Sequence, residues 1–130
     1  MHKENFILLA EDDEDDQELI QIALKRVASD HVVRIVSNGQ ELLNVLAGEK
    51  HLPCLIILDL NMPLVDGIQT LRVLGHDPKY AHIPKVILTT SDSENNKNIS
   101  YFYGALDYFV KPSSMKELVT TAEKILTYCH

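Results

Sequence analysis

The sequence predicts a doubly wound α/β fold, in which an open parallel sheet carries helices on both faces. Short apolar runs rich in β-forming residues alternate with segments in which apolar residues recur at helical spacing. This alternation indicates a parallel sheet, because parallel strands are joined by crossovers that are nearly always helical and right-handed. The predicted strands are Phe6 to Ala10, Val32 to Val36, Leu55 to Leu58, Val86 to Leu88 and Tyr108 to Val110.

Helical periodicity follows each of the first three strands. The first helix begins with Asp15 and Asp16, where negative charge is favourable, and we expect both side chains to be solvated. The second follows a turn at residues 37–39 and ends at Gly48, and Asp66 is placed to cap the third. The apolar stripes are Leu19, Ile20, Ala23, Leu24 and Val27, then Leu42, Leu43 and Leu46, then Ile68, Leu71 and Leu74.

The last two helical segments differ in how clearly the sequence predicts them. The segment that opens at Ser91 to Glu94 contains three asparagines within residues 95–98. Asparagine is a poor helix former, so we expect an irregular or mobile element there. A Ser113 or Ser114 cap precedes the final helix, whose periodic pattern is clear. Its apolar residues are Met115, Leu118, Val119, Ala122, Ile125 and Leu126.

Length and composition indicate one globular domain. A chain of 130 residues suits a single domain over residues 1–130, and because the final helix ends near His130 we expect no output domain. The net charge of −7 argues against a nucleic-acid groove, which needs clustered basic residues. No apolar run is long enough for a secretion signal or a membrane span, so we expect a cytoplasmic protein.

The cysteines show no recognisable pairing pattern. Cys54 lies in an apolar run and Cys129 lies beside the C-terminus. We therefore expect neither a disulfide framework nor a metal-binding knuckle. The six histidines are scattered without ligand spacing, and we assign them no role.

Polar residues follow four of the predicted strands, at the edge where open α/β sheets place functional groups. They are Glu11, Asp12 and Asp13 after the first strand, Asp59 after the third, Thr89 and Thr90 after the fourth, and Lys111 after the fifth. Neighbouring carboxylates repel one another unless positive charge lies among them, and a lysine with a divalent cation would supply it. Hard oxygen ligands favour Mg²⁺, and an aspartate beside such an ion is a plausible nucleophile.

Four separated motifs resemble those of response-regulator receiver domains. They are FILLAEDD, LIILDLNMPLVDG, VILTTS and DYFVKP, in this order over nearly the whole chain. The resemblance is specific because order, spacing and strand context all agree. It implies a five-stranded flavodoxin-like sheet of order 2-1-3-4-5. The chain is similar to stand-alone receivers of bacterial two-component systems, such as the chemotaxis and phytochrome-associated regulators.

The resemblance also implies roles for particular residues. Asp59 matches the phosphoacceptor, and it shares Mg²⁺ with Glu11, Asp12 and the backbone carbonyl of Asn61. Asp12 is expected to bind the ion directly and Glu11 through water. Whether Asp13 shares this role stays open, because sliding the first motif by one residue would pair Asp12 with Asp13.

Three further positions match the family's switch machinery. Thr89 resembles the switch hydroxyl that bonds a phosphoryl oxygen, and Lys111 resembles the lysine that pairs with the same group. Tyr108 matches the aromatic residue that turns inward when the hydroxyl moves. Pro112 follows Lys111, and the family suggests a cis peptide bond between them.

The function implied is that of a phosphorylation switch rather than an enzyme acting on other substrates. A sensor histidine kinase or a histidine phosphotransfer protein would donate the phosphoryl group to Asp59, and the protein would then dephosphorylate itself. A downstream protein or a second copy would bind the face of helix 4, strand 5 and helix 5, with no nucleic-acid or membrane partner.

Three other functions fit the sequence less well. A receiver-like binding module would signal without phosphate, and intact Asp59, Thr89 and Lys111 argue against it. A magnesium-dependent aspartyl-phosphate phosphatase would need a second acid where Asn61 stands. A flavin-binding electron carrier would need hydroxyl and glycine residues after the first strand, whereas the acidic residues there repel phosphate.

Overall fold

The computed structural model describes residues 6–129, and within them five parallel strands form one sheet with five helices. The strand order is β2-β1-β3-β4-β5, which confirms the predicted fold class and order. In chain order the elements are β1 Phe6–Ala10, α1 Glu14–Val27, β2 Val32–Val36, α2 Gly39–Gly48, β3 Leu55–Leu58, α3 Gly67–His76, β4 Lys85–Thr89, α4 Glu94–Phe102, β5 Asp107–Val110 and α5 Met115–Leu126.

The core has two layers, one on each face of the sheet. Along β1, Ile7 and Leu9 pack in the cluster that includes residues of α1 and α5, whereas Leu8 and Ala10 pack in the cluster that includes residues of α2 and α3. This alternation follows from the two-residue period of a strand. Strands β1, β3 and β4 are buried along their whole length, as expected of parallel strands covered on both sides.

Most predicted boundaries are confirmed. The first three strands have the predicted limits, β4 extends one residue further at each end, and β5 begins one residue earlier. Asp66 caps α3 in a capping box with Gln69, and Ser114 caps α5. No helix within residues 6–129 is both long enough and apolar enough to cross a bilayer.

The predicted apolar stripe of α1 is too wide. Ile20, Ala23 and Leu24 are buried, but Leu19 is 45% exposed and Val27 is 37% exposed. A surface helix buries only the sector that faces its neighbours, here α5 and the sheet. Leu19 and Val27 therefore share the helical spacing of this stripe but lie outside its buried sector.

Helix α4 is regular, which corrects the expectation of an irregular segment. The Ser93 side chain accepts a hydrogen bond from the Asn96 backbone N–H at 3.2 Å and so caps the helix. The Asn96 side chain donates to Ser91 Oγ at 2.8 Å, and Ser100 Oγ donates to the Asn96 carbonyl at 2.7 Å. Residues of low helix propensity are held here by hydrogen bonds within the helix and its cap. Gly104 follows the helix with a φ of 104°, a conformation that favours glycine.

The two cysteines form a disulfide bond, contrary to the expectation from their spacing. Cys54 and Cys129 are 75 residues apart in sequence, and their Cα atoms are 5.0 Å apart. Cys54 immediately precedes β3, and α5 returns the chain to the edge of the sheet where β3 begins. The pairing is thus a product of the crossover topology, which places a helix end beside the start of a distant strand.

Candidate functional site

Three carboxylates converge at the carboxyl ends of β1 and β3. The Glu11 backbone N–H donates to the Val36 carbonyl and the Asp59 N–H donates to the Ala10 carbonyl, each at 3.0 Å, so both residues continue the sheet. One side-chain oxygen from each of Glu11, Asp12 and Asp59 lies within 4.8 Å of the others. Glu11 and Asp59 are buried and Asp12 is exposed, so the cluster opens to solvent on one side.

Asp13 has a different role from its neighbours. Its side chain caps α1 by accepting a hydrogen bond from the Asp16 N–H at 3.0 Å, and its own N–H donates to Glu11 Oε2 at 3.1 Å. The carboxylate of Asp13 is therefore used to satisfy the helix start. Of the two pairings considered from the sequence, the geometry groups Asp12 with Glu11.

Lys111 brings the positive charge that the acidic cluster requires. Its Nζ lies 2.9 Å from Asp59 Oδ2, 2.6 Å from Glu11 Oε1 and 2.9 Å from Asp16 Oδ2. The expectation that Asp16 is merely solvated was therefore wrong, since the first turn of α1 places its carboxylate beside the lysine. Lys111 lies at the end of β5, where its N–H donates to the Thr89 carbonyl at 2.8 Å.

The peptide bond between Lys111 and Pro112 is trans, which corrects the expectation of a cis bond. No cis peptide bond occurs anywhere in residues 6–129. The trans form is the lower in energy for a residue before proline, and with it Lys111 already contacts all three carboxylates.

The site perturbs the pKa of its buried groups. Burial raises the pKa of Glu11 to about 7, and the nearby Asp59 charge raises it too, although the Lys111 hydrogen bond opposes both. Burial opposes the charged form of Lys111, but hydrogen bonds to Glu11, Asp16 and Asp59 outweigh it, so the pKa of Lys111 lies above its ordinary value. The lysine is therefore a permanent cation at neutral pH.

Glu11 makes the stability of the metal-free protein depend on pH. Its pKa is about 7 in the folded state against an ordinary value of 4.5, so the folded state binds more protons between these limits. The contribution of Glu11 to the free energy of unfolding is thus full below pH 4.5 and is lost as pH rises through 7. We expect the Glu11→Gln variant to gain about 2 kcal/mol relative to the unchanged protein between pH 5 and pH 8.

Urea denaturation in a chelating buffer at several pH values measures this difference. Glu41→Gln is a control variant, because Glu41 lies in the first turn of α2, outside the acidic cluster. A stability difference between Glu11→Gln and the unchanged protein that is the same at pH 5 and pH 8 would contradict the expectation.

Thr89 presents a hydroxyl to the interior with nothing to bond. The residue is completely buried at the end of β4, and its Oγ1 has no hydrogen-bond partner among the described residues. Leaving a buried hydroxyl unpaired is unfavourable, so such an atom indicates a site where another acceptor or donor binds. A phosphoryl oxygen is one such acceptor.

The backbone after β3 is held tightly against the phosphoacceptor candidate. The Asn61 N–H donates to Asp59 Oδ1 at 3.2 Å, which fixes one carboxylate oxygen. A Cβ atom at Gly67 would lie 2.5 Å from the Asp59 carbonyl oxygen, so only glycine allows α3 to begin this close to the strand end. Asn61 is exposed, at the same edge of the sheet as Asp12.

Tyr108 is turned inward. It is 9% exposed, and its hydroxyl donates to the Ser91 carbonyl at 2.7 Å. The preceding residue, Asp107, was not singled out from the sequence, yet its carboxylate accepts hydrogen bonds from Tyr128 at 2.7 Å and Tyr101 at 3.5 Å. Tyr101 lies in α4 and Tyr128 lies in the segment after α5, so the Asp107 carboxylate on β5 connects these two elements.

The donor set fits a hard divalent cation. The three converging side chains offer only carboxylate oxygens, one of them open to solvent, which suits an ion such as Mg²⁺ that retains several waters. A five-stranded parallel sheet with an acidic cluster, a partly buried lysine and an unpaired hydroxyl at its carboxyl edge is the arrangement of a receiver-type α/β domain.

The chain belongs to the response regulator receiver domain family, whose model matches residues 7–123. Receivers of this family work in two-component signalling. Among curated relatives, the response regulator Rcp1 of Synechocystis is 33% identical over 127 residues, covering 94% of this chain and 86% of Rcp1. The probable methanogenesis regulatory protein FilR2 of Methanothrix harundinacea is 32% identical over 126 residues, covering 94% of this chain and 81% of FilR2.

Solved structures give the same result. The phosphorylated cyanobacterial phytochrome response regulator RcpA superposes with a TM-score of 0.89 at 32% identity, covering 98% of this chain and 94% of RcpA. The Mn²⁺-bound form of Rcp1 gives a TM-score of 0.84 at 33% identity, covering 95% of this chain and 92% of that one.

Proposed function

We propose that this protein is a phosphorylation switch in which Asp59 accepts a phosphoryl group, as a single receiver unit over residues 1–130. The observation that carries the proposal is the convergence of the Glu11, Asp12 and Asp59 oxygens within 4.8 Å, with Lys111 Nζ 2.9 Å from Asp59. The phosphorylated state of RcpA and the Mn²⁺ bound to Rcp1 support the same assignment by similarity.

In the proposed reaction, a carboxylate oxygen of Asp59 forms a bond to phosphorus. The bond between phosphorus and the donor nitrogen breaks at the same time, and its electron pair leaves with the histidine of a sensor kinase or phosphotransfer protein. Lys111 holds the carboxylate in place and then pairs with the phosphoryl oxygens. The unpaired Thr89 hydroxyl donates to one of these oxygens, which satisfies a buried group.

Glu11, Asp12, Asp59 and the Asn61 backbone carbonyl would hold Mg²⁺ in this reaction. When bound, the ion neutralises charge that develops on the phosphoryl group. Asp12 is the exposed member of the cluster and is the residue best placed to contact an ion arriving from solvent.

The downstream partner is proposed to bind the surface of α4, β5 and α5. This surface exposes four apolar or aromatic side chains, and their exposed fractions are Tyr101 47%, Phe102 81%, Leu106 53% and Val110 40%. Apolar area of this kind is typical of protein interfaces. Tyr108 and Thr89 lie beneath it on β5 and β4, which gives the phosphorylation site a short route to the surface. The proposed location is the cytoplasm.

Incubation with Mg²⁺ and acetyl phosphate tests the proposal directly. We expect intact mass spectrometry to detect the addition of one phosphoryl group, which is absent in the Asp59→Asn variant and when Mg²⁺ is chelated. Asp30→Asn is the matched control, because Asp30 is an exposed turn residue remote from the site. Phosphorylation that persists in Asp59→Asn would refute the assignment of the phosphoacceptor.

A further inference from the structure

The disulfide has a histidine beside one of its sulfur atoms. His31 Nε2 lies 3.9 Å from Cys129 Sγ, in the turn between α1 and β2. Among the described residues, His31 is the only one whose side chain makes a polar contact with either sulfur. The two sulfur atoms therefore have unequal surroundings, although they share one bond.

The tautomer of the neutral His31 ring follows from its other ring nitrogen. His31 Nδ1 is buried and has no hydrogen-bond partner within residues 6–129. An unpaired N–H in such a place is more costly than an unpaired lone pair, so the neutral ring carries its proton on Nε2. That proton is directed towards Cys129 Sγ.

Both cysteines are only half-buried, so thiols from solution can approach the bond. We propose that the Cys54–Cys129 disulfide is an exchange site for low-molecular-weight thiols, with the His31 Nε2–H as the hydrogen-bond donor that stabilises the leaving thiolate of Cys129. The inference does not depend on the proposed phosphorylation of Asp59.

The exchange has a defined direction. An external thiolate attacks Cys54 Sγ, a new sulfur–sulfur bond forms there, and the bond to Cys129 breaks. The electron pair leaves on Cys129 Sγ, and the His31 Nε2–H donates a hydrogen bond to the thiolate that forms there. This thiolate then takes from solvent the proton that the attacking thiol had released. A second thiol then displaces the first from Cys54, so that two external thiols are oxidised to their disulfide while the protein bond is reduced to two thiols.

Reduction releases the end of α5 from the start of β3. Cys129 follows α5 by three residues, and Cys54 directly precedes β3, so the bond is a covalent tie between the terminal segment and the sheet. The thiol redox state of the surroundings would thus determine whether this end of the molecule is fixed.

The test follows the reaction with excess reduced glutathione at pH 7, using acid quenching and mass spectrometry. We expect a transient mixed disulfide with glutathione on Cys54, identified by peptide mapping, followed by full reduction. In His31→Phe, which keeps the ring and removes the N–H, we expect the reaction to slow about tenfold and glutathione to appear on both cysteines, because the preference for Cys129 as leaving group is lost.

The matched control is His76→Phe, since His76 is an exposed residue of α3. It should react at the unchanged rate and at Cys54. A purely structural role of His31 predicts a lower melting temperature of the oxidised His31→Phe protein, whereas a hydrogen-bond donor to the leaving thiolate predicts an unchanged one. Glutathione found mainly on Cys129, or an unchanged rate in His31→Phe, would overturn the proposal, as would two free thiols in the air-oxidised protein.

Discussion

Replacing Cys54 with serine is expected to lower the free energy of unfolding of the oxidised protein by about 4 kcal/mol, given the 75-residue separation of the two cysteines. The cross-link restricts the unfolded chain, and the entropy that it removes grows with the length of the closed loop. A loss of this size is a large part of the stability of an ordinary domain.

Urea denaturation followed by circular dichroism measures this loss. Cys129→Ser should lose the same amount as Cys54→Ser, and the double variant should lose no more, because either change removes the same bond. A reducing agent should lower the stability of the unchanged protein by a similar amount and leave the variants unaffected. Equal stability of the unchanged protein with and without reducing agent would contradict the expectation.

Lys111→Met is expected to slow phosphorylation by acetyl phosphate about 10²-fold, because it removes the positive charge preorganised at Asp59. The same change should strengthen Mg²⁺ binding. Lys111 Nζ lies within 3 Å of Glu11 and Asp59, so its charge competes with the ion for their carboxylates. Methionine retains the length of the side chain, which keeps the packing of β5 largely intact.

The two expected effects of Lys111→Met have opposite signs, since the rate of phosphorylation falls while the affinity for Mg²⁺ rises. The rate is measured by intact mass at saturating Mg²⁺, and the affinity by calorimetric titration of Mg²⁺. Lys116→Met is the control, since Lys116 is an exposed residue of α5 outside the acidic site. Weaker Mg²⁺ binding in Lys111→Met would show that the lysine supports the ion rather than competing with it.

The strands could be predicted because the sheet is covered on both faces. Continuous apolar runs such as Leu55–Leu58 have no other favourable location, and the charged residues that follow them mark their ends. The location of the acidic site could be predicted for a related reason. The carboxyl ends of parallel strands meet at one edge of the sheet whatever the details of packing, and Glu11, Asp59 and Lys111 each follow such a strand end.

Most features that the sequence did not predict depend on contacts between residues that are far apart along the chain. Asp16 contacts Lys111, which is 95 residues away, and no local pattern signals that the first turn of α1 reaches it. The disulfide likewise depends on where α5 ends relative to β3. In α4, propensity indicated weak helix formation, but it does not include the side-chain bonds of Ser93 and Asn96 that hold the helix start.

The hydrogen bonds of the Asp107 carboxylate couple the movement of α4 to that of the segment after α5. It is bonded to Tyr101 on one side and to Tyr128 on the other, and Tyr128 is adjacent to the disulfide at Cys129. A displacement of α4 therefore either breaks the Tyr101 bond or pulls on the segment that follows α5. Because the disulfide joins that segment to the start of β3, we expect the oxidised protein to resist such a displacement of α4 and the reduced protein to allow it.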